Sequence, residues 1–240
     1  QLTGPFKKNA LATLQVALPA VVIGGGLTAI DTATELLAYY PIQVEKILDR
    51  YELLCRELGE EAVRKLCDEE EQELLNTFLE HGRVIREERI TAIKEKRRPD
   101  FITPIRKWGG VTIAYRKKLT DSPAYRLNHE EVIKALEEGI YFAENMTPVE
   151  AVRNRFGAVD GLVCTRGNGE SVTLPARAIC VAAGTSPNIV YEKERPGSFK
   201  LDSKKYFFQK HYAILNNGTW QLKEASPSDP KAFFLSHTKD

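Results

Sequence analysis

The chain holds 240 residues, 42% of them hydrophobic and 28% charged, with a formal net charge of +1. That length allows one large domain or two small ones. The balanced charge gives no global field for nucleic acid or an anionic membrane surface, and no apolar run approaches the length that spans a bilayer.

Residues 1–18 read as a lead-in, with Phe6, Ala10, Leu11 and Leu14 at helical spacing. A strand is predicted over 20–23. Its Val21-Val22-Ile23 runs into Gly24-Gly25-Gly26, after which Ile30, Ala33, Leu36 and Leu37 set a helical period. Strand, glycine turn and helix carry a G-x-G-x-x-A dinucleotide fingerprint at Gly24, Gly26 and Ala29. Gly24 allows the tight turn, Gly26 bares the backbone to a pyrophosphate, and Ala29 lets the helix pack close to the strand. With Gly25, Leu27 and Thr28 as further candidates, the helix N-terminus offers free N–H groups and the positive end of the helix dipole to the phosphates. The helix is expected over 27–39, with Pro41 stopping or sharply bending it because proline lacks the N–H.

About seventy residues, 41–110, then interrupt the return to the sheet. Ile47, Leu48, Tyr51, Leu54, Cys55 and Leu58 form one apolar stripe; Ala62, Val63, Leu66 and Cys67 a second; Leu74, Leu75, Phe78, Leu79, Ile85 and Ile90 a third. The stretch reads as a helical hairpin standing off the sheet, its far end from Arg83 to Arg98 charged and solvated, with an exit loop carrying Trp108. A second strand follows at 111–115, ending in Tyr115-Arg116-Lys117. Ser122-Pro123 marks a turn, and Asn128 with Glu131 a helix start. The helix closes at Gly139 and a third strand begins at Ile140. Extended residues 147–152 and a hairpin about Gly167-Asn168-Gly169 make a meander. Residues 177–184 read as a buried parallel strand ending in Ala182-Ala183-Gly184. A further hairpin surrounds Asn217-Gly218. The predicted fold class is therefore α/β: a Rossmann-like, doubly wound parallel sheet with a β-hairpin/meander crossover and a helical insertion.

A glycine turn of this kind serves either FAD or a nicotinamide nucleotide. An acid at the end of the second strand would suit a ribose hydroxyl. Tyr115, Arg116 and Lys117 instead place cations there, which suits the adenosine 2′-phosphate of NADPH, and Arg126 adds a further candidate. Ala183 and Gly184 let a cofactor approach the end of the later strand. Catalytic acids and bases are not evident: His81, His129, His211 and His237 read as surface residues, and there is no Tyr-x-x-x-Lys pair. Hydride would then pass to another cofactor, which needs positioning rather than protein acid chemistry. Cys55, Cys67, Cys164 and Cys180 form no C-x-x-C and have no histidine at ligand spacing, so they read as free thiols in a reducing cytoplasm, and no metal is expected.

Four segments, in order, resemble the glutamate synthase small-subunit family within the larger pyridine nucleotide–disulfide oxidoreductase group. Val21 to Asp31 is similar to its G-G-G-x-T-A-x-D segment, and Val111 to Lys117 to its V-T-x-x-Y-R-R strand. His129 to Phe142 is similar to its E-V-x-x-A-x-E-E-G-V-x-F helix and strand, and Ile179 to Asn188 to its A-x-G-x-x-P-N return motif. The resemblance implies an oxidoreductase that passes hydride from NADPH (or NADH) to FAD. The family's own FAD glycine motif and cysteine-rich iron–sulfur segment are missing, the 41–110 insertion is foreign to it, and Lys117 stands for an arginine. The expectation is an NADPH-binding domain over 19–188, with 1–18 and 189–240 leading to an FAD domain of a longer parent chain. Two alternatives stay open. In one, the nucleotide site is vestigial and the insertion docks an electron-transfer partner subunit. In the other, the chain is a flavin-free NADP dehydrogenase, against which the missing acid argues.

Overall fold

The computed structural model describes residues 15–184, 188–203 and 207–226. The lead-in helix expected around Phe6 to Leu14, the Thr185-Ser186-Pro187 part of the return motif, and His237 lie outside them. Two compact units divide the chain, Gln1–Gly184 and Thr185–Asp240.

In the first unit β1 (Ala20–Ile23) leads to α1 (Leu27–Leu58), α2 (Glu60–Arg64), α3 (Glu69–Lys94) and α4 (Ile102–Lys107). Then come β2 (Val111–Ala114), a 3-10 turn (Leu119–Asp121), α5 (Pro123–Glu137) and β3 (Tyr141–Ala143). A meander of β4 (Met146–Arg153), β5 (Val159–Arg166) and β6 (Ser171–Pro175) precedes β7 (Ala178–Val181). Four strands form one parallel sheet in the order β3-β2-β1-β7. This is the expected α/β class, with the meander as crossover.

The period of two in β1 divides the core. Ala20 and Val22 join Val111 and Ile113 against the helices, packing on Ala29, Ile30, Ala33 and Val132. Val21 and Ala114 face the other way, onto Met146, Leu162, Cys164 and Ala176 of the meander side. Helices thus cover one face and antiparallel strands the other.

Several expectations need correction. Pro41 does not end the first helix: α1 runs through it for 32 residues. A proline inside a helix costs about 3 kcal/mol in isolation, but Tyr40, Pro41, Gln43 and Val44 are all buried here, and burial outweighs the missing hydrogen bond. Nor does the insertion simply stand off the sheet. Tyr40, Val44, Phe78 and Ile85 share one core with the sheet residues, and only the distal Leu48, Tyr51, Val63 and Leu79 form a separate cluster. The charged stretch 83–98 is not merely solvated. Ile85 and Ala92 are buried, and Arg86 reaches Asp49 and Glu52 while Arg89 grips Glu45 with two bonds of 2.9 and 2.5 Å.

α5 starts earlier than expected. Ser122 is its N-cap, its Oγ accepting from the Tyr125 N–H at 3.2 Å, and Pro123 fills the first helical position. Asn128, non-helical at φ −156° and ψ 78°, breaks α5 into two, so a helical segment does begin after Asn128 as expected, though its side chain donates to the Glu131 carboxylate rather than capping backbone. β7 is half-buried rather than buried, with Val181 75% exposed, because β1 is its one partner in the described sheet. His81 is buried, not a surface residue. It lies at the N-terminal end of the strands, its ring stacked 3.6 Å from that of Trp108 and its Nδ1 2.5 Å from the Tyr40 hydroxyl.

The second unit holds a short α6 (Val190–Glu194) and a hairpin of β8 (His211–Asn216) and β9 (Thr219–Glu224). Asn217 and Gly218 both take positive φ at its turn, as the Asn-Gly pair predicts.

Candidate functional site

The site is assembled at the C-terminal ends of β1, β2 and β7, where the order of strands around β1 reverses. The three glycines after β1 meet three different surroundings. Gly24 has φ +154°, and a Cβ there would lie 2.3 Å from the Ala182 carbonyl oxygen and 3.1 Å from the Ala29 Cβ. Its N–H donates to the Ala114 carbonyl at 3.1 Å, while the Ala182 N–H donates to the Ile23 carbonyl at 2.7 Å. Gly24 is thus sealed between the ends of β2 and β7, and Ala29 is small because it abuts that turn. Gly25 is buried: a Cβ would lie 2.4 Å from the Tyr115 ring, and its carbonyl accepts from the Ala124 N–H at 3.0 Å. A Cβ on Gly26 would meet nothing within 4 Å.

Gly26 is also the N-cap of α1, in extended conformation, without a side-chain cap and with no acid in the first turn. The Leu27 and Thr28 N–H groups take no partner among the described residues. Leu27 packs its side chain on the core, so it can offer only its backbone; Thr28 is exposed. An open glycine, free amide donors and an unneutralised positive helix end are the features that a diphosphate requires. The residues therefore fit the phosphates of a dinucleotide.

Beside this turn, Tyr115 is half-buried, with its N–H on the Ala143 carbonyl at 3.0 Å and its own carbonyl accepting from Met146 at 2.8 Å. The Lys117 carbonyl accepts from Asn145. Arg116 and Lys117 are exposed and form no ion pair among the described residues. Arg126, on α5, is exposed but pairs with Asp121 at 3.4 Å. Ala183 and Gly184 continue from Ala182 and are exposed. The structure therefore gathers Gly24, Gly25, Ala29, Tyr115 and the end of β7 into direct contact. Arg116, Lys117 and Arg126 stand on the segments attached to that cluster.

The sequence reading missed the Ala182 carbonyl, which makes Gly24 obligatory, and Ser122 with Ala124, which dock α5 on Gly25. The Ser-Pro pair, as N-cap and first helical residue, was the signal for the latter.

Other chemistry is thin. Burial pushes the Cys164 and Cys180 thiols up, away from the thiolate form. Among the described residues no three His, Cys, Asp or Glu side chains gather to hold a metal, and no helix is long and apolar enough to cross a membrane. An open, apolar cavity of about 440 Å³ lies away from the glycine turn, lined by Leu37, Pro41, Phe101 and Ile105. Its Arg89 is already bound to Glu45.

No family model matches the chain. An uncharacterized protein of Rickettsia prowazekii (strain Madrid E), RP006, is 29% identical over 225 residues, which are 85% of this chain and 29% of that protein. Among solved structures, the bacillithiol disulfide reductase Bdr (YpdA) from Staphylococcus aureus aligns at a TM-score of 0.39 and 16% identity, over 87% of this chain and 40% of its own. The Bacillus cereus reductase of the same name aligns at 0.35 and 14%, over 80% and 35%. Lactococcus lactis thioredoxin reductase aligns at 0.31 and 18%, over 40% and 31%. The chain spans less than half the length of each of these proteins.

Proposed function

We propose that this chain binds a nicotinamide dinucleotide, NADPH in preference to NADH, as the nucleotide-binding part of a flavin-dependent oxidoreductase of the glutamate synthase small-subunit type. The observation that carries the reading is the pairing of an open Gly26 and uncapped α1 with free cations at the end of the neighbouring β2. Leu27 and Thr28 amides take the diphosphate; Arg116 and Lys117 face the 2′-phosphate; Ala183 and Gly184 leave the end of β7 bare. Bound NADPH supplies a hydride, and the flavin that receives it belongs to an FAD domain outside these 240 residues. The resemblance of the four sequence segments supports that assignment.

Titration of the chain with NADPH, NADH and FAD tests it. NADPH is expected to bind tightest. Replacing Arg116 with Glu should weaken NADPH about tenfold or more while changing NADH little, since one charge-assisted contact to phosphate is lost. Tighter binding of FAD than of either nicotinamide nucleotide would overturn the reading.

One observation favours a second reading, in which the insertion docks a partner and the nucleotide site is vestigial. Leu53, Leu54 and Leu58 on α1 and Leu66 in the turn after α2, at the distal end of the hairpin, are each exposed. Absence of saturable NADPH binding, with the chain folded, would favour it. Deleting 41–110 would remove Val44, Phe78 and Ile85 from the sheet's own core and so unfold the chain rather than test docking.

A further inference from the structure

The middle glycine of the turn has no surface to offer a ligand. Gly25 is buried, its carbonyl is held by the Ala124 N–H, and three carbon atoms of the Tyr115 ring would lie 2.4–2.7 Å from a Cβ placed on it. Real Cβ atoms do not approach ring carbons so closely, so an aromatic ring can rest there only because residue 25 has no side chain.

Neither partner can give way cheaply. Tyr115 is tied on both sides of its peptide, to Ala143 and to Met146, and its ring meets Phe142 edge-on with centroids 6.4 Å apart. Gly25 is fixed by α5 on one side and by Gly24, locked between Ala114 and Ala182, on the other. The two residues that follow Tyr115 are the exposed pair Arg116 and Lys117. Moving the ring moves the chain from which that pair projects.

We propose that Gly25 and Tyr115 form a positioning pair: the ring seated on the bare glycine holds Arg116 and Lys117 in register with the phosphate turn and so sets the preference for a nucleotide bearing a 2′-phosphate. The inference rests on the nucleotide-binding reading above. It divides the triplet into three tasks: Gly24 admits β7, Gly25 seats Tyr115, and Gly26 faces the ligand. Gly25 and Tyr115 are then positioning residues and not cofactor contacts.

The test measures binding of NADPH and NADH, and of 2′,5′-ADP and 5′-AMP, to the whole chain. The variants are Gly25→Ala, Tyr115→Ala, the double variant Gly25→Ala/Tyr115→Ala, Tyr115→Phe and Gly26→Ala. Gly25→Ala and Tyr115→Ala should each lower the preference for the 2′-phosphorylated ligand about tenfold, leaving NADH within about threefold of its original affinity. The double variant should lose no more than Tyr115→Ala alone, since the methyl of residue 25 then has room. Tyr115→Phe keeps the seat and should retain the preference, which a loss through the hydroxyl would not. Gly26→Ala should weaken both nucleotides alike. Should Gly25→Ala prove unstable, the comparison of Tyr115→Ala with Tyr115→Phe decides alone. A parent chain that prefers NADPH, with a preference unchanged in Tyr115→Ala or losses that multiply in the double variant, overturns the positioning role only. A folded parent chain that binds neither nucleotide overturns the reading beneath it as well.

Discussion

His81 sits between the Tyr40 hydroxyl and the face of Trp108, and burial lowers its pKa to about 4. The unfolded chain, with an ordinary histidine pKa near 6.5, binds the extra proton first. Between those two values the unfolded state therefore carries more protons, and stability rises with pH. The contribution is complete above about pH 6.5 and is lost as pH falls toward 4, on the order of 2–3 kcal/mol in all. Urea unfolding midpoints taken from pH 7.5 to pH 4 should show that step, and His81→Gln should flatten it. The sequence hid this residue because its neighbours, Glu80 and Arg83, are exposed and charged, while the aromatic partners lie 41 and 27 positions away. The glycine fingerprint was legible for the opposite reason. Its strand, turn and helix are all local, and Ala29 abuts Gly24 as the spacing requires. What local pattern could not supply was the seat of Tyr115 on Gly25, since those residues lie 90 positions apart, on either side of the insertion.

Among the elements, α1 and α3 cross where Gly82 faces Val44. A Cβ on Gly82 would lie 2.6 Å from the Val44 carbonyl oxygen and 3.1 Å from the Leu48 Cβ. Gly82→Ala would ordinarily help a helix by up to about 1 kcal/mol. Here it forces two backbones apart, and overpacking of this kind costs roughly 1–3 kcal/mol. A lower melting temperature for Gly82→Ala, with nucleotide affinity kept, is the expected outcome. The helical stripes of the insertion were readable from periodicity, and Asp68 with Glu71 supplies the capping box that starts α3. Its docking was not. Nothing local announces that Phe78 and Ile85 will share a core with β1, or that a proline will be carried inside α1. The salt bridges of Arg86 and Arg89 with α1 add registry more than energy, since half-exposed ion pairs contribute little each.

At the scale of the molecule, the parallel strands and the meander were legible because each motif comes in chain order and has its own period, while the order β3-β2-β1-β7 emerges only from the fold. The tie between meander and insertion was not: Arg155, in the β4–β5 turn, binds Glu69 at 2.7 Å and also Glu73, both on α3. The first unit is thus closed on both faces of its sheet before any nucleotide arrives. Binding to such a preformed site stabilises by mass action, about 2.7 kcal/mol at a hundredfold excess over Kd. Differential scanning fluorimetry with NADPH should raise the first melting transition by about 5 °C or more; FAD should not. The shift should shrink with added salt, because the pair proposed to meet the 2′-phosphate, Arg116 and Lys117, is exposed.

The 32 residues of α1 make a rod about 48 Å long at 1.5 Å per residue. Its first turn follows the three glycines, and its far end carries the exposed Leu54 and Leu58. The buried stretch from Tyr40 to Val44 lies at the middle. The half before Pro41 packs on the sheet through Ala29, Ile30, Ala33 and Leu36, and the half after it carries Leu48 and Tyr51 of the hairpin's own cluster, so one continuous helix joins the glycine turn to a tip about 48 Å away.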